Sequence, residues 1–139
     1  MLKILKTIVT KLGGVDTSER NHVDTFTENR IHRVSGEQIA SSENGEIWIV
    51  FQELSGYTFL NISIINPIEI KTLKGCVLTI IGNENELQLE SDTREIESDF
   101  SNVSNRWLTN ICFDVSSINT EIIQKDKVEH ITIKWENKS

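Results

Sequence analysis

Between positions 47 and 135 apolar residues either alternate with polar ones or gather into short β-branched blocks. Ile68-Glu69-Ile70-Lys71 keeps a strict period of two, and Cys76-Val77-Leu78-Thr79-Ile80-Ile81 is nearly continuous. Turn residues break the pattern about every ten positions, which is the spacing of short strands that share one core. Residues 47–51 are apolar on both faces, so they predict a central strand. After Ser55-Gly56 a second strand covers 57–65 and stops at Asn66-Pro67, because proline cannot donate to a ladder. A third covers 68–73. A fourth, 76–81, turns through Gly82-Asn83-Glu84-Asn85 into Glu86-Leu87-Gln88-Leu89. There Leu87 and Leu89 point inward, and Glu86, Gln88 and Glu90 point to water.

Residues 94–100 predict a weaker strand with Ile96 and Phe100 inward. Past a loop at 101–105, Trp107, Ile111, Phe113 and Val115 alternate with Leu108, Asn110, Cys112 and Asp114. Ser116-Ser117 is placed to cap a short helix through Gln124, with Ile118, Ile122 and Ile123 packing down. A last strand sets Ile131, Ile133 and Trp135 on one face.

Upstream the period changes. Leu2, Leu5, Ile8, Val9 and Leu12 recur at helical spacing opposite Lys3, Lys6 and Lys11, and Gly13-Gly14 supplies a stop. Residues 1–14 therefore predict an amphipathic helix that docks on the sheet or on a second copy. Contact with an anionic membrane is the weaker alternative. Residues 15–46 are polar and fit neither period, so they predict a connection or arm with a short helix or edge strand inside it. Together these readings give a mainly β fold. It is a single-domain antiparallel β-sandwich or flattened barrel of about eight strands, with its β core at 47–136, a helix before it and a short helix before the last strand.

Composition supports the sheet. Isoleucine dominates a 37% hydrophobic fraction while alanine occurs once, at Ala40. Charge narrows the partners. Lys3, Lys6 and Lys11 give the first twelve residues +3, which leaves −10 on the rest of a chain of net charge −7. Such a body repels phosphate backbones, so nucleic acid is excluded as a partner and a basic protein is favoured. The opening residues hold no uninterrupted apolar run of the kind an export signal needs, and no stretch has the length of a bilayer span. A cytoplasmic setting follows as the expectation, with Cys76 and Cys112 reduced inside strands.

No phosphate-binding glycine motif, calcium loop or zinc spacing is present, so no cofactor and no metal site are expected. Cys112 with His130 is the one pairing that could make a nucleophile and its base. A thiol on a core strand is more often inert filler, so no catalytic residue is assigned. The densest charge lies at 84–99, where seven acids face one base, Arg94. If strands 86–90 and 94–100 paired as a hairpin, Glu86, Glu90, Glu95, Glu97 and Asp99 would share one outer face. Arg106-Trp107, at a loop–strand junction, adds residue types that anchor interfaces. These seven residues are the candidate partner-binding set. The expected function is a non-enzymatic protein-binding module with an acidic face for a basic partner, resembling an inhibitor or immunity protein in size and charge. One alternative is a self-assembling module that uses the N-terminal helix or a sheet edge. The other is an enzyme or small-ligand carrier with a pocket in the β core.

Overall fold

The computed structural model describes residues 25–136. The expected helix at 2–12 lies outside these residues. Within them the order is α1 (Phe26–His32), β1 (Glu37–Ser42), β2 (Gly45–Leu54), β3 (Tyr57–Asn66), β4 (Lys71–Thr72) and β5 (Cys76–Gly82). Then follow β6 (Asn85–Glu90), β7 (Ile96–Glu97), β8 (Asp99–Ser101), β9 (Arg106–Asp114), a single 3₁₀ turn (Thr120–Ile122) and β10 (His130–Trp135). The chain is mainly β, and every strand pair is antiparallel.

One sheet has five strands in the order β1-β2-β3-β9-β8, a second has three in the order β10-β5-β6, and β4 pairs with β7 alone. Among the described residues each larger sheet ends in strands paired on one side alone, and the strands close into no barrel. The period-two pattern explains the core. On the five-stranded sheet Ile49, Ile62 and Ile111 stand in one cross-strand row, beside Leu60 and Phe113 in the next. On the three-stranded sheet Leu78 lies between Ile133 and Leu89, and Ile80 between Ile131 and Leu87. These residues form a single buried cluster. Each fully buried isoleucine contributes about 1.5–3 kcal/mol. The rows therefore outweigh any surface ion pair, which is worth about 0–1 kcal/mol.

A smaller cluster lies on the opposite face of the five-stranded sheet, where Ile31 of α1 packs on Ile65 and Leu108 beside Val34 and Trp48. This explains why adjacent Ile64 and Ile65 are both buried: one faces each layer. It also explains an apolar Trp48 on a strand whose core side is already filled. Trp135 belongs to the main core, whereas Trp48 is only half-buried under α1.

Residues 25–46 hold both a helix and an edge strand where the sequence suggested one or the other. They meet at Gly36, whose φ is +101° and where a Cβ would lie 2.1 Å from the Ile49 carbonyl oxygen. No other residue type fits there without displacing the backbone. The two-residue turn between β2 and β3 has positive φ at both Ser55 and Gly56, the primed geometry that matches strand twist.

Several expectations are corrected. The described residues hold ten strands rather than about eight. The 68–73 strand shrinks to Lys71–Thr72, because Asn66 Oδ1 accepts from Ile68 N at 3.2 Å and Ser98 Oγ accepts from Ile70 N at 2.8 Å. Side chains thus take bonds that a longer ladder would have used. The 94–100 strand splits at Ser98, where the chain leaves β4 for β9. The change of partner shifts the phase, so Ile96 stays buried but Phe100 is 42% exposed instead of inward. The helix expected from Ser116 through Gln124 is reduced to the 3₁₀ helix Thr120–Ile122. Ser116 hydrogen-bonds Asp114 and accepts from Thr58 N, tying down the end of β9, and Asn119 caps only the 3₁₀ turn.

Candidate functional site

The predicted acidic face is divided among four places, because 86–90 and 94–100 do not pair. Glu86 and Glu90 lie on β6, opposite Ile81 and Val77 of β5. Glu97 stands across from Lys71, with its carboxylate 3.7 Å from the ammonium. Asp99 accepts from Arg30 of α1 at 2.8 Å. Glu95 is exposed in the bend before β7. Of the five carboxylates, Glu86 and Glu90 alone share a strand face, four residues apart with Gln88 midway between them.

Strand alternation separates Arg106 from Trp107. Trp107 packs against Phe100 in a tilted ring pair with centroids 4.8 Å apart. Arg106 turns to the other face, toward α1, and joins a polar staple that the sequence reading missed. Its centre is Glu28, 8% exposed on α1. Glu28 Oε1 accepts from Ser101 Oγ at 2.6 Å and from Ser104 Oγ at 2.7 Å. Its Oε2 lies 3.0 Å from His32 Nε2 and 3.8 Å from Arg106 Nη2. Arg106 also donates Nε to Ser104 Oγ at 3.1 Å and approaches Glu46, which accepts from Trp48 Nε1 at 2.8 Å. The two serine hydroxyls, then His32 and Arg106, hold Glu28 below the usual glutamate range against the opposing effect of burial.

Serine, histidine and glutamate meet here, but in the wrong order for acyl transfer. A nucleophilic serine needs a base at its own hydroxyl. Here both hydroxyls donate to a carboxylate whose proton affinity is lowered, and Ser101 is fully buried. The staple attaches α1 to β8 and β9.

Cys112 and His130 are not brought together, since β9 and β10 belong to different sheets. Burial, then Asp92 and Asp114, raise the Cys112 thiol, and burial pushes Cys76 up to about 11. Neither is poised as a thiolate. Among the described residues no three His, Cys, Asp or Glu side chains gather where they could hold a metal ion. No helix among those residues is long and apolar enough to cross a membrane.

The face that still carries two of the predicted carboxylates together is the outer face of β10-β5-β6. Its cross-strand rows read His130–Ile81–Glu86, Thr132–Thr79–Gln88 and Lys134–Val77–Glu90. A half-buried β-branched column runs up the middle, a column of two carboxylates and an amide lies on one side, and His130 and Lys134 lie on the other. The outer columns stand two strands apart, about 10 Å. Neither Glu86 nor Glu90 forms an ion pair among the described residues. Compared with protein-family models, with curated proteins and with solved structures, the chain matches none.

Proposed function

We propose that this chain is a non-enzymatic binding protein, a single-domain β-sandwich that offers an acidic strand to a basic partner protein in a reducing compartment such as the cytoplasm. An inhibitor or immunity protein would work in this way. The observation that carries the reading is the Glu86-Gln88-Glu90 column, whose two carboxylates form no ion pair among the described residues and which lies beside the half-buried column Val77, Thr79 and Ile81. Unneutralised carboxylates next to apolar surface suit a partner that brings lysines or arginines around an apolar centre. Both cysteines are free, which fits a reducing setting. Glu97 and Asp99 contribute less, because Lys71 and Arg30 already engage them.

The test is affinity capture by the full chain and by Glu86→Lys/Glu90→Lys at about 0.05 and 0.5 M salt, conditions that differ severalfold in screening length. A basic protein held by the wild type at low salt and released by the double variant supports the reading. Each exposed ion pair is worth about 0.2–1 kcal/mol, so the pair of reversals should weaken binding by roughly tenfold or more. Equal capture by both proteins at both salts overturns it.

A second reading, self-association through an open edge, is favoured by one observation. Among the described residues β10 is the last strand of its sheet, and His130–Lys134 pair with β5 in regular register without a bulge or proline. Light scattering that finds a monomer at high concentration removes it.

A further inference from the structure

The outer face of β10-β5-β6 carries charges of both signs, and their arrangement restricts what can dock on it. Glu86, Gln88 and Glu90 are exposed on β6, and His130 and Lys134 are exposed on β10. Between them Val77, Thr79 and Ile81 of β5 are half-buried. The three strands pair in unbroken register, so the charges share rows. His130 lies in the row of Glu86 and Lys134 in the row of Glu90, each with a β5 side chain midway. Opposite charges in one row stand about 10 Å apart, and no ion pair bridges the two columns among the described residues. Lys74 is already held by Glu136 at 3.1 Å.

A partner that covers the whole face must place positive groups over Glu86 and Glu90, carboxylates over His130 and Lys134, and an apolar strip between them. The chain itself meets that description. Sheets packed face to face keep their strands within about 30° of one another, at a distance of about 10 Å. When a second copy is laid over the first about a twofold axis parallel to β5, each row meets the same row with its outer columns exchanged. Lys134 of one copy then lies over Glu90 of the other, His130 over Glu86, and Thr132 over Gln88. Val77, Thr79 and Ile81 meet their own counterparts at the centre. An imidazole keeps an N–H donor in either protonation state, so His130 can donate to a carboxylate. A twofold axis across the strands is disfavoured, because it reverses the rows and sets Glu86 over Glu90 and His130 over Lys134.

We propose that this face binds a second copy of the chain, sheet on sheet about a twofold axis parallel to β5, with the Lys134–Glu90 and His130–Glu86 contacts each made twice. The inference rests on the protein-binding reading of this face and names a partner for it, a surface charged in both senses. Six residues on three strands cover about 14 by 20 Å. Two such faces bury well below the ~1,200 Å² of a stable interface, so the dimer is weak, with a Kd of ~0.1–1 mM. A basic protein that uses Glu86 and Glu90 competes with the second copy for the same carboxylates.

The experiment is sedimentation equilibrium and amide chemical shifts of the full chain from about 0.02 to 1 mM, at about 0.05 and 0.5 M salt. The expected result is a reversible monomer–dimer equilibrium that salt weakens, with shifts concentrated at 77–81, 86–90 and 130–134. Glu86→Lys/Glu90→Lys and His130→Glu/Lys134→Glu each oppose like charges in a homodimer, so either variant alone should lose self-association by tenfold or more. An equimolar mixture of the two variants restores every attraction and should associate at least as tightly as the wild type, which also shows that both fold. His130→Glu/Lys134→Glu keeps the acidic column and should still capture a basic protein as the wild type does. Loss of capture with the dimer intact therefore counts against the basic partner, and capture without a dimer counts against the second copy. A chain that stays monomeric up to about 1 mM overturns the proposal. A dimer that neither variant weakens also overturns it, and assigns the contact to a sheet edge. So does a mixture that fails to associate although both variants give folded spectra.

Discussion

Glu28→Ala tests the staple most directly. The substitution leaves the Ser101 hydroxyl, 0% exposed, without the acceptor it now reaches at 2.6 Å. Stranding such a group costs about 1–3 kcal/mol. Loss of the half-exposed Arg106 contact adds at most about 1 kcal/mol. The seven-residue helix cannot hold itself together in water, so nothing local compensates. Because Glu28 lies only one helix layer from solvent, the low half of that range applies, and about 2 kcal/mol is expected. For a domain of this size that lowers Tm by roughly 6–10 °C. Thermal and urea unfolding of Glu28→Ala, Ser101→Ala and the double variant measure it. Removing both partners should restore part of the loss, with a coupling of about 1–2 kcal/mol. The pH dependence has a definite sign. A carboxylate with a lowered folded pKa stabilises fully above its unfolded value of about 4.3, and the benefit fades as pH falls through the folded value. The gap between wild type and Glu28→Ala should therefore be widest near neutrality and close in acid. Additive losses, or a gap that pH leaves unchanged, would refute the staple.

Gly36→Ala should cost more than about 3 kcal/mol, since a Cβ would overlap the Ile49 carbonyl at a φ of +101°. Denaturant midpoints equal to wild type would show that β1 does not enter the sheet in this way. In thiol labelling Cys76, raised to about 11, should stay unmodified until the chain unfolds. Cys112 should react slowly, and faster in Asp114→Asn, because Asp114 is one of the groups that raise it after burial. The same Cys76 shift predicts stability that holds below the unfolded thiol value of about 8.5 and is lost as pH climbs toward 11, readable in unfolding at pH 8 and pH 10.

Much of the sheet was legible because burial on one face forces period two. The rows Ile131-Ile133-Trp135 and Cys76-Leu78-Ile80 are inward as the alternation implies. Alternation does not name a strand's partner, however. Two adjacent acidic strands therefore read as a hairpin, although one pairs with β5 and the other divides between β4 and β9. The slip at Ser98 was invisible for the same reason. Its hydroxyl bonds Thr109 and Ile70, contacts that exist only once distant strands meet. The staple hid in a polar stretch without a period, where Glu28 looks like any solvated acid. Asn66 read as turn chemistry before proline, and only packing reveals that it is buried with its Nδ2 unpaired among the described residues.

The primed turn at Ser55-Gly56 also bears on how the chain reaches this state. It is one of several two-residue loops and joins the two longest strands, so β2 and β3 should zip early, on the microsecond scale of hairpins. β9 must then dock onto β3 from far along the chain, and that long-range closure sets the pace, in milliseconds to seconds. Mutations at the β2–β3 turn should therefore slow folding, while those in β10 should mainly hasten unfolding.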